Sequence, residues 1–380
     1  MKTIRFGIIG CGLMGREFAS AAARWCHLPE MTARPEIVAL CDQSPAAFPW
    51  YKENFPSVAQ CTNDYRQVLA NPNVDAVYVA LPHNLHREVY CAAIEAGKHL
   101  LGEKPFGMGK PDCDAILAAA RAHPRVLVRC SSQSLFFPAV QRIGQMLEQD
   151  AFGRIIQVQT GFLHSSDLDP NKPINWKRMI EINGEYGVMG DLGLHACHLA
   201  FRAGWVPRNV RAVLSDIVKE RPDGKGGRVP CKTWDNAILL CDTAASNGEP
   251  FPWTMRLERI APGEKNNWYI DIYGTRASVR WTSANSDLLQ VLKYEGGEQS
   301  WTQVQTGHDT AFKSITGSIF QFGFSDAILQ MWAAFIYELT QGKPLKRYAS
   351  CLTPDEAALS HRLFTASLES QKNCSVVPVP

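Results

Sequence analysis

The sequence predicts an α/β protein in two parts: a doubly wound parallel sheet over residues 1–129, then an α/β domain over residues 130–380 built on a large, mostly antiparallel open sheet. Three observations predict it. The apolar run Ile4 to Ile9 passes into a glycine-rich turn and then an alanine-rich helical stretch. Strand and helix patterns alternate from there to about residue 128, which implies parallel strands covered by helices on both faces. Beyond residue 155 come long alternating strands without helices between them, the pattern of an antiparallel sheet with one exposed face.

Composition sets outer bounds. A chain of 380 residues is long enough for two domains with cores of their own, and 46% hydrophobic with 20% charged residues is ordinary for a soluble globular protein. A formal net charge of +2 gives no broad electrostatic case for nucleic acid or an anionic membrane. The 12 cysteines are scattered without a C-x-x-C pair, which argues against a zinc knuckle or a thioredoxin-like motif. Several (Cys41, Cys91, Cys130, Cys241) sit in apolar runs as small hydrophobes, so a reducing compartment is the simpler account. Met1-Lys2-Thr3 runs straight into strand-like residues, and no apolar run has membrane-spanning length; a cytoplasmic location is the expectation.

The first strand leads into Gly10-Cys11-Gly12-Leu13-Met14-Gly15, followed by a helix over Arg16 to Ala23. This is G-x-G-x-x-G with a strand before it and a helix after it. The first glycine permits the tight turn, the second lets backbone approach a pyrophosphate, and the third allows close helix–strand packing. A glycine-rich turn without a ligand is the competing account. The second strand, Glu36 to Cys41, ends in Asp42, placed to accept from the adenine-ribose hydroxyls and to repel a 2′-phosphate; no arginine stands beside it, which favours NAD over NADP. Its distance from the glycines exceeds the usual ~20 residues, because Leu28 to Pro35 reads as an inserted loop.

Asn63 to Leu69 reads as a helix and Val74 to Leu81 as a buried strand ending in Leu81-Pro82-His83-Asn84-Leu85-His86. A helix over Arg87 to Ala96 stops at Gly97. The next apolar run, Gly97 to Leu101, ends in Gly102-Glu103-Lys104-Pro105-Phe106. A lysine and a glutamate against the end of a buried strand are costly without polar partners, and the proline turns the chain there. A charged surface turn is the plain alternative. What favours function is position: Gly10, Asp42, Pro82 and Lys104 all fall on the carboxyl edge of one parallel sheet. Val126 to Arg129 is its last strand.

In the second part Ala139 to Gln149 is an amphipathic helix, and strands are predicted at Ile155 to Phe162, Asn209 to Leu214, Thr233 to Asp242, Trp253 to Arg259, Trp268 to Tyr273 and Ala277 to Thr282. Pro222 to Gly227 reads as a mobile loop, and helices at about Asp326 to Gln341 and Pro354 to Gln371 end the chain. Within Gly184 to His198, Asp191, His195 and His198 stand at i, i+4 and i+7 and would share one helix face. A carboxylate beside an imidazole can set up a general base. A metal site and plain polar packing are the alternatives, and no cysteine or glutamate supports the metal. His164 and Asn175-Trp176-Lys177-Arg178 are substrate candidates: the tryptophan suits the apolar face of a sugar, and Lys177 with Arg178 could hold an anionic group, or could simply be a solvated basic loop.

Together these motifs resemble the Gfo/Idh/MocA family of nicotinamide-dependent sugar oxidoreductases over essentially the whole chain. The specific matches are Glu103-Lys104-Pro105 and the D-x-x-x-H helix of Asp191 and His195, with the glycine turn and the Leu81 to His86 segment in support. The resemblance implies an N-terminal Rossmann domain and an open-sheet domain, one face over the active site and the other often an oligomer interface, hence a dimer or tetramer. It implies Lys104, Asp191 and His195 as the catalytic group. It implies NAD contacts at Gly10, Cys11, Gly12, Leu13, Met14, Gly15, Asp42, Leu81, Pro82, Asn84, His86, Glu103 and Lys104, with His198 near the substrate. Many members have an acidic residue where this chain has His198, and an arginine where Ser134-Leu135-Phe136 stands. Three readings follow: a net NAD-dependent sugar or polyol dehydrogenase; a glycosidase that oxidises, eliminates and re-reduces, on a glycoside that could be anionic; and a non-catalytic dinucleotide sensor.

Overall fold

The computed structural model describes residues 1–307, 310–317 and 319–380. Its first sheet has six parallel strands: β1 (Lys2–Ile9), β2 (Ala33–Cys41), β3 (Gln60–Thr62), β4 (Ala76–Val79), β5 (His99–Gly102) and β6 (Val128–Cys130), in the order β3-β2-β1-β4-β5-β6. Strand order reverses between β1 and β4, which opens the crevice where ligands bind in such sheets. Both faces are covered, so β4 is buried at every residue. On one face Phe6 packs against Phe18, ring centroids 5.6 Å apart, and Trp332, 5.1 Å apart. On the other, Val68, Val89, Tyr90, Ile94 and Ile116 form a second cluster. Trp332 belongs to the helix Phe324–Gln341, which a division at residue 129 assigns to the second part although it packs on the first sheet. Leu28 to Pro35 is only partly a loop: β2 already starts at Ala33, with Pro35 buried opposite Ile4.

The second sheet uses β7 (Ile155–Leu163), β8 (Val206–Ser215), β11 (Asn236–Ala244), β12 (Pro250–Glu258), β13 (Asn267–Gly274), β14 (Ala277–Thr282), β15 (Leu288–Lys293), β16 (Thr302–Gln305) and β17 (Val377–Pro378). Between β8 and β11 the chain makes a small hairpin, β9 (Glu220–Pro222) with β10 (Arg228–Pro230), whose turn holds the glycine-rich stretch. The nine strands run β16-β15-β14-β13-β7-β12-β11-β8-β17, antiparallel except for the β7–β12 pair. Alternation is clean: Ala237, Leu239, Cys241, Trp253, Met255 and Leu257 face inward, while Val213, Ile238 and Leu240 are exposed on the outer face. The twelve cysteines are all free. Among the described residues no helix is long and apolar enough to cross a membrane.

Candidate active site

The glycine turn is shaped by close approach. Gly10 sits at φ +97°, and a Cβ there would lie 2.2 Å from the Ala80 carbonyl oxygen; at Gly15 it would lie 2.3 Å from the Gly10 oxygen. At Gly12 a Cβ would meet nothing within 4 Å, so the space before the turn is open. The helix Leu13–Ala23 that follows has no side-chain cap and no acidic residue in its first turn, which leaves its amides to an anion. Asp42 is fixed beside the turn, accepting from the Cys11 amide at 2.8 Å and the Ser44 amide at 2.8 Å. An open glycine face, free helix amides and an anchored carboxylate fit a dinucleotide.

The cleft beyond the turn, about 590 Å³, is lined on one side by Gly12, Leu13, Met14, Leu81, Pro82, Glu103 and Lys104. Its other side carries Trp176, Lys177, Asp191 and His195. Asp191 is almost fully buried and takes three cations: Lys104 Nζ at 2.9 Å, Lys177 Nζ at 3.0 Å, and the Arg259 guanidinium at 3.1 Å. Burial alone would raise its pKa, but Lys104, Lys177 and Arg259 outweigh burial and hold the carboxyl well below the usual carboxylate range. Lys104 also donates to the Asp191 carbonyl at 2.6 Å. His195 is buried against Phe162 and Trp268, each centroid 5.6 Å away. Burial, reinforced by the positive charge of Lys104, pushes its imidazole well below the ordinary histidine range, so the ring is neutral at neutral pH and can take a proton. Glu103 holds the strand end: its carboxylate accepts from the Tyr78 hydroxyl at 2.7 Å, and its carbonyl from the Tyr90 hydroxyl at 2.6 Å.

The structure brings Lys104, Asp191 and His195 from two separated segments to one cleft, but it breaks the expected single helix face. Met189–Gly193 is a π-helical turn preceding the α-helix Leu194–Arg202, and its wider turn changes the phase on which the i, i+4, i+7 argument rests. His198, three residues after His195 on the regular α-helix and so about 60° around it, is turned away from the cleft, its Nε2 accepting from Arg202 at 3.4 Å. Arg178 is also corrected. It is fully buried and paired with Asp167 at 2.7 Å and with Asp235, so it cannot hold a substrate anion. Lys177 does line the cleft, but as a partner of Asp191. His86 lies behind the cleft wall, its ring against the Pro105 and Leu81 carbonyls at 2.7 and 2.9 Å, and Asn84 is exposed outside the cleft lining. Cys11 is buried, and its amide serves Asp42. His164 and Trp176 line the cleft, Trp176 meeting the His83 ring edge-on at 4.8 Å. Sequence reasoning missed Arg259, Gln133, Phe162, Trp268 and Phe324. Arg259 had a usable signal, since it ends an apolar strand as Lys104 does. Among the described residues no cluster of histidine, cysteine, aspartate and glutamate could hold a metal.

The profile of an oxidoreductase family with an NAD-binding Rossmann fold, GFO_IDH_MocA, matches residues 4–130. Over those residues the chain matches the Rossmann domain of that family. A levoglucosan dehydrogenase of Pseudarthrobacter phenanthrenivorans is 28% identical over 308 residues, which span 77% of this chain and 76% of that protein. The solved structure of a levoglucosan dehydrogenase in complex with NADH and L-sorbose superimposes with a TM-score of 0.88 at 25% identity, covering 100% of both chains. A glycosyl hydrolase family 109 protein of Bacteroides thetaiotaomicron is 28% identical over 189 residues, 47% of this chain and 38% of that protein. The chain uses NAD, and Gly10, Gly12, Gly15 and Asp42 shape a turn beside the cleft that fits it.

Proposed function

We propose that the protein transfers a hydride between NAD and the hydroxyl-bearing carbon of a neutral sugar or cyclic polyol. The observation that carries this reading is the convergence of Lys104, Asp191 and the neutral His195 on one cleft bounded by the glycine turn. When bound, NAD supplies the hydride acceptor. His195 takes the hydroxyl proton, and Lys104 donates a hydrogen bond to the same oxygen, stabilising its developing charge. Asp191 keeps Lys104 and Lys177 in place. Phe162, Trp176, Trp268 and Phe324 supply flat apolar walls for the C–H face of a sugar ring. With Arg178 sealed between two aspartates and Lys177 shared with Asp191, the described residues of the cleft offer an anionic substituent no free cation pair, which supports a neutral substrate over an acidic sugar or glycoside. The levoglucosan dehydrogenase relative supports the same class.

The redox-assisted glycosidase is the second reading, supported by the Bacteroides relative and by the fact that the same acid–base group could serve it. A sensor has no use for a buried neutral base. The test is a screen of levoglucosan, L-sorbose, free hexoses, inositols, acidic sugars and aryl glycosides, following NADH and released aglycone together. NADH with a neutral sugar and no aglycone release is expected; aglycone release without NADH accumulation would replace the dehydrogenase by the glycosidase. The reading includes a reducing, cytoplasmic setting, in keeping with twelve free cysteines, and a homo-oligomer built on the outer sheet face, where Val213 lies opposite Ile238 with both exposed.

A further inference from the structure

Three hydrogen bonds around His195 fix one another's direction. Ser134 Oγ lies 3.1 Å from the His195 carbonyl oxygen and must be the donor, since a carbonyl has no proton to give. A hydroxyl carries one proton, so across the 3.3 Å contact between Ser132 Oγ and Ser134 Oγ the donor is Ser132. That commits the Ser132 proton. Ser132 Oγ can then only accept across its 3.2 Å contact with His195 Nδ1, and Nδ1 carries the ring proton. Because the ring is neutral, Nε2 holds a lone pair. Nε2 makes no hydrogen bond to the described residues, while the ring lines the cleft. Reversing any one direction leaves two oxygens, or an oxygen and a nitrogen, facing each other with no proton between them.

We propose that Ser132 and Ser134 are positioning residues that select the tautomer of His195 whose Nε2 is the free base. Both serines are buried just beyond β6, so the end of the first sheet sets the protonation pattern of a histidine on the second part's helix. The clamp holds the histidine twice, at its ring and at its own carbonyl. The inference rests on the reading of His195 as the base, and it makes an unusual claim about Ser134, which does not touch the imidazole. Losing the Ser134 hydroxyl frees the Ser132 proton to turn toward Nδ1, which then accepts and drives the ring proton to Nε2.

The test is long-range ¹H–¹⁵N NMR on the full-length protein labelled at its histidine rings, at neutral pH and without added ligand, His195 being assigned by the signal lost in His195→Gln. In the wild type the unprotonated nitrogen is expected to be Nε2. In Ser134→Ala the unprotonated shift is expected to move to Nδ1, and Ser132→Thr, which keeps the hydroxyl, is expected to retain the wild-type pattern. A wild-type ring protonated at Nε2, or a Ser134→Ala spectrum unchanged from wild type, overturns the relay. If a variant fails to fold, the wild-type spectrum still decides. Failure of the base reading shows separately, as His195→Gln retaining turnover in the sugar screen.

Discussion

His361 offers a sharp test of the burial argument far from the chemistry. It is 1% exposed on the helix Pro354–Asn373, meets Tyr186 edge-on at 5.4 Å, and has no hydrogen-bond partner among the described residues on either ring nitrogen. Burial pushes its pKa down to about 3. The sign follows from linkage: below about 6.5 the unfolded chain binds a proton that the folded chain refuses, so stability falls as pH drops from there toward the folded value. At about 1.36 kcal/mol per pH unit, acidification to pH ~5 costs about 2 kcal/mol through this one residue. His361→Leu removes the titration and two unpaired polar atoms at similar volume. Urea unfolding at about pH 7 and pH 5 is expected to show the leucine variant gaining about 2 kcal/mol on the wild type over that interval. A stability gap that does not change with pH, or an NMR titration of His361 near its ordinary value, would refute the reasoning.

The cleft makes further predictions. Lys104→Ala is expected to lower turnover by the upper part of the ~10²–10⁴ range for a positioned catalytic group, and His195→Ala by the lower part, measured as NADH formation at saturating NAD. Asp191→Asn leaves Lys104, Lys177 and Arg259 facing an uncharged group and is expected to cost about 3–5 kcal/mol of stability in denaturant unfolding, partly recovered by added salt. Arg178→Ala is expected to destabilise by a similar ~3–5 kcal/mol, because it strands two aspartates, without changing the preference between neutral and acidic sugars. Asp42→Ala is expected to weaken NAD binding, measured by fluorescence titration of NADH, and to narrow the discrimination against NADPH.

What could be read from the sequence was what local chemistry determines. The strand–glycine–helix start at Ile4 to Ala23 needs no distant partner to be recognised, and β4 and β5 were marked by short apolar runs ending in proline or charge. β3 was missed because three residues, Gln60-Cys61-Thr62, are too few for a period. The π turn at Met189–Gly193 leaves no trace in hydrophobic spacing, and His198 was placed with His195 because residues three apart share a broad helix face, although Arg202, four residues on, holds it away from the cleft. Arg178 was misread for another reason: its partners, Asp167 and Asp235, are eleven and fifty-seven residues away, and a Lys-Arg pair in a loop looks the same whether solvated or sealed. Apart from Trp176, the aromatic walls come from β7, β13 and the helix Phe324–Gln341, so they converge only once the second part is folded.

In the proposed mechanism the charge arrangement would let a weak base suffice. Three cations surround one carboxylate at Asp191, so the cluster keeps a positive surplus in a place with little water. Burial is the main cause of the low pKa of His195, and the surplus adds to it, since Lys104 and Lys177 oppose a further positive charge and Asp191 only partly offsets them. The surplus acts in the opposite sense on a substrate hydroxyl: the same field favours an alkoxide, which supplies the negative charge the cluster lacks. Acidifying the hydroxyl brings it toward the imidazole in proton affinity, whereas lowering the imidazole pKa moves it away, so stabilisation of the oxygen has to carry the transfer. On this account most of the catalytic advantage lies in the oxygen-facing ammonium rather than in the imidazole. Water in the cleft can replace a missing base in part, but it carries no positive charge to replace that of Lys104, so the lysine variant should be the slower of the two.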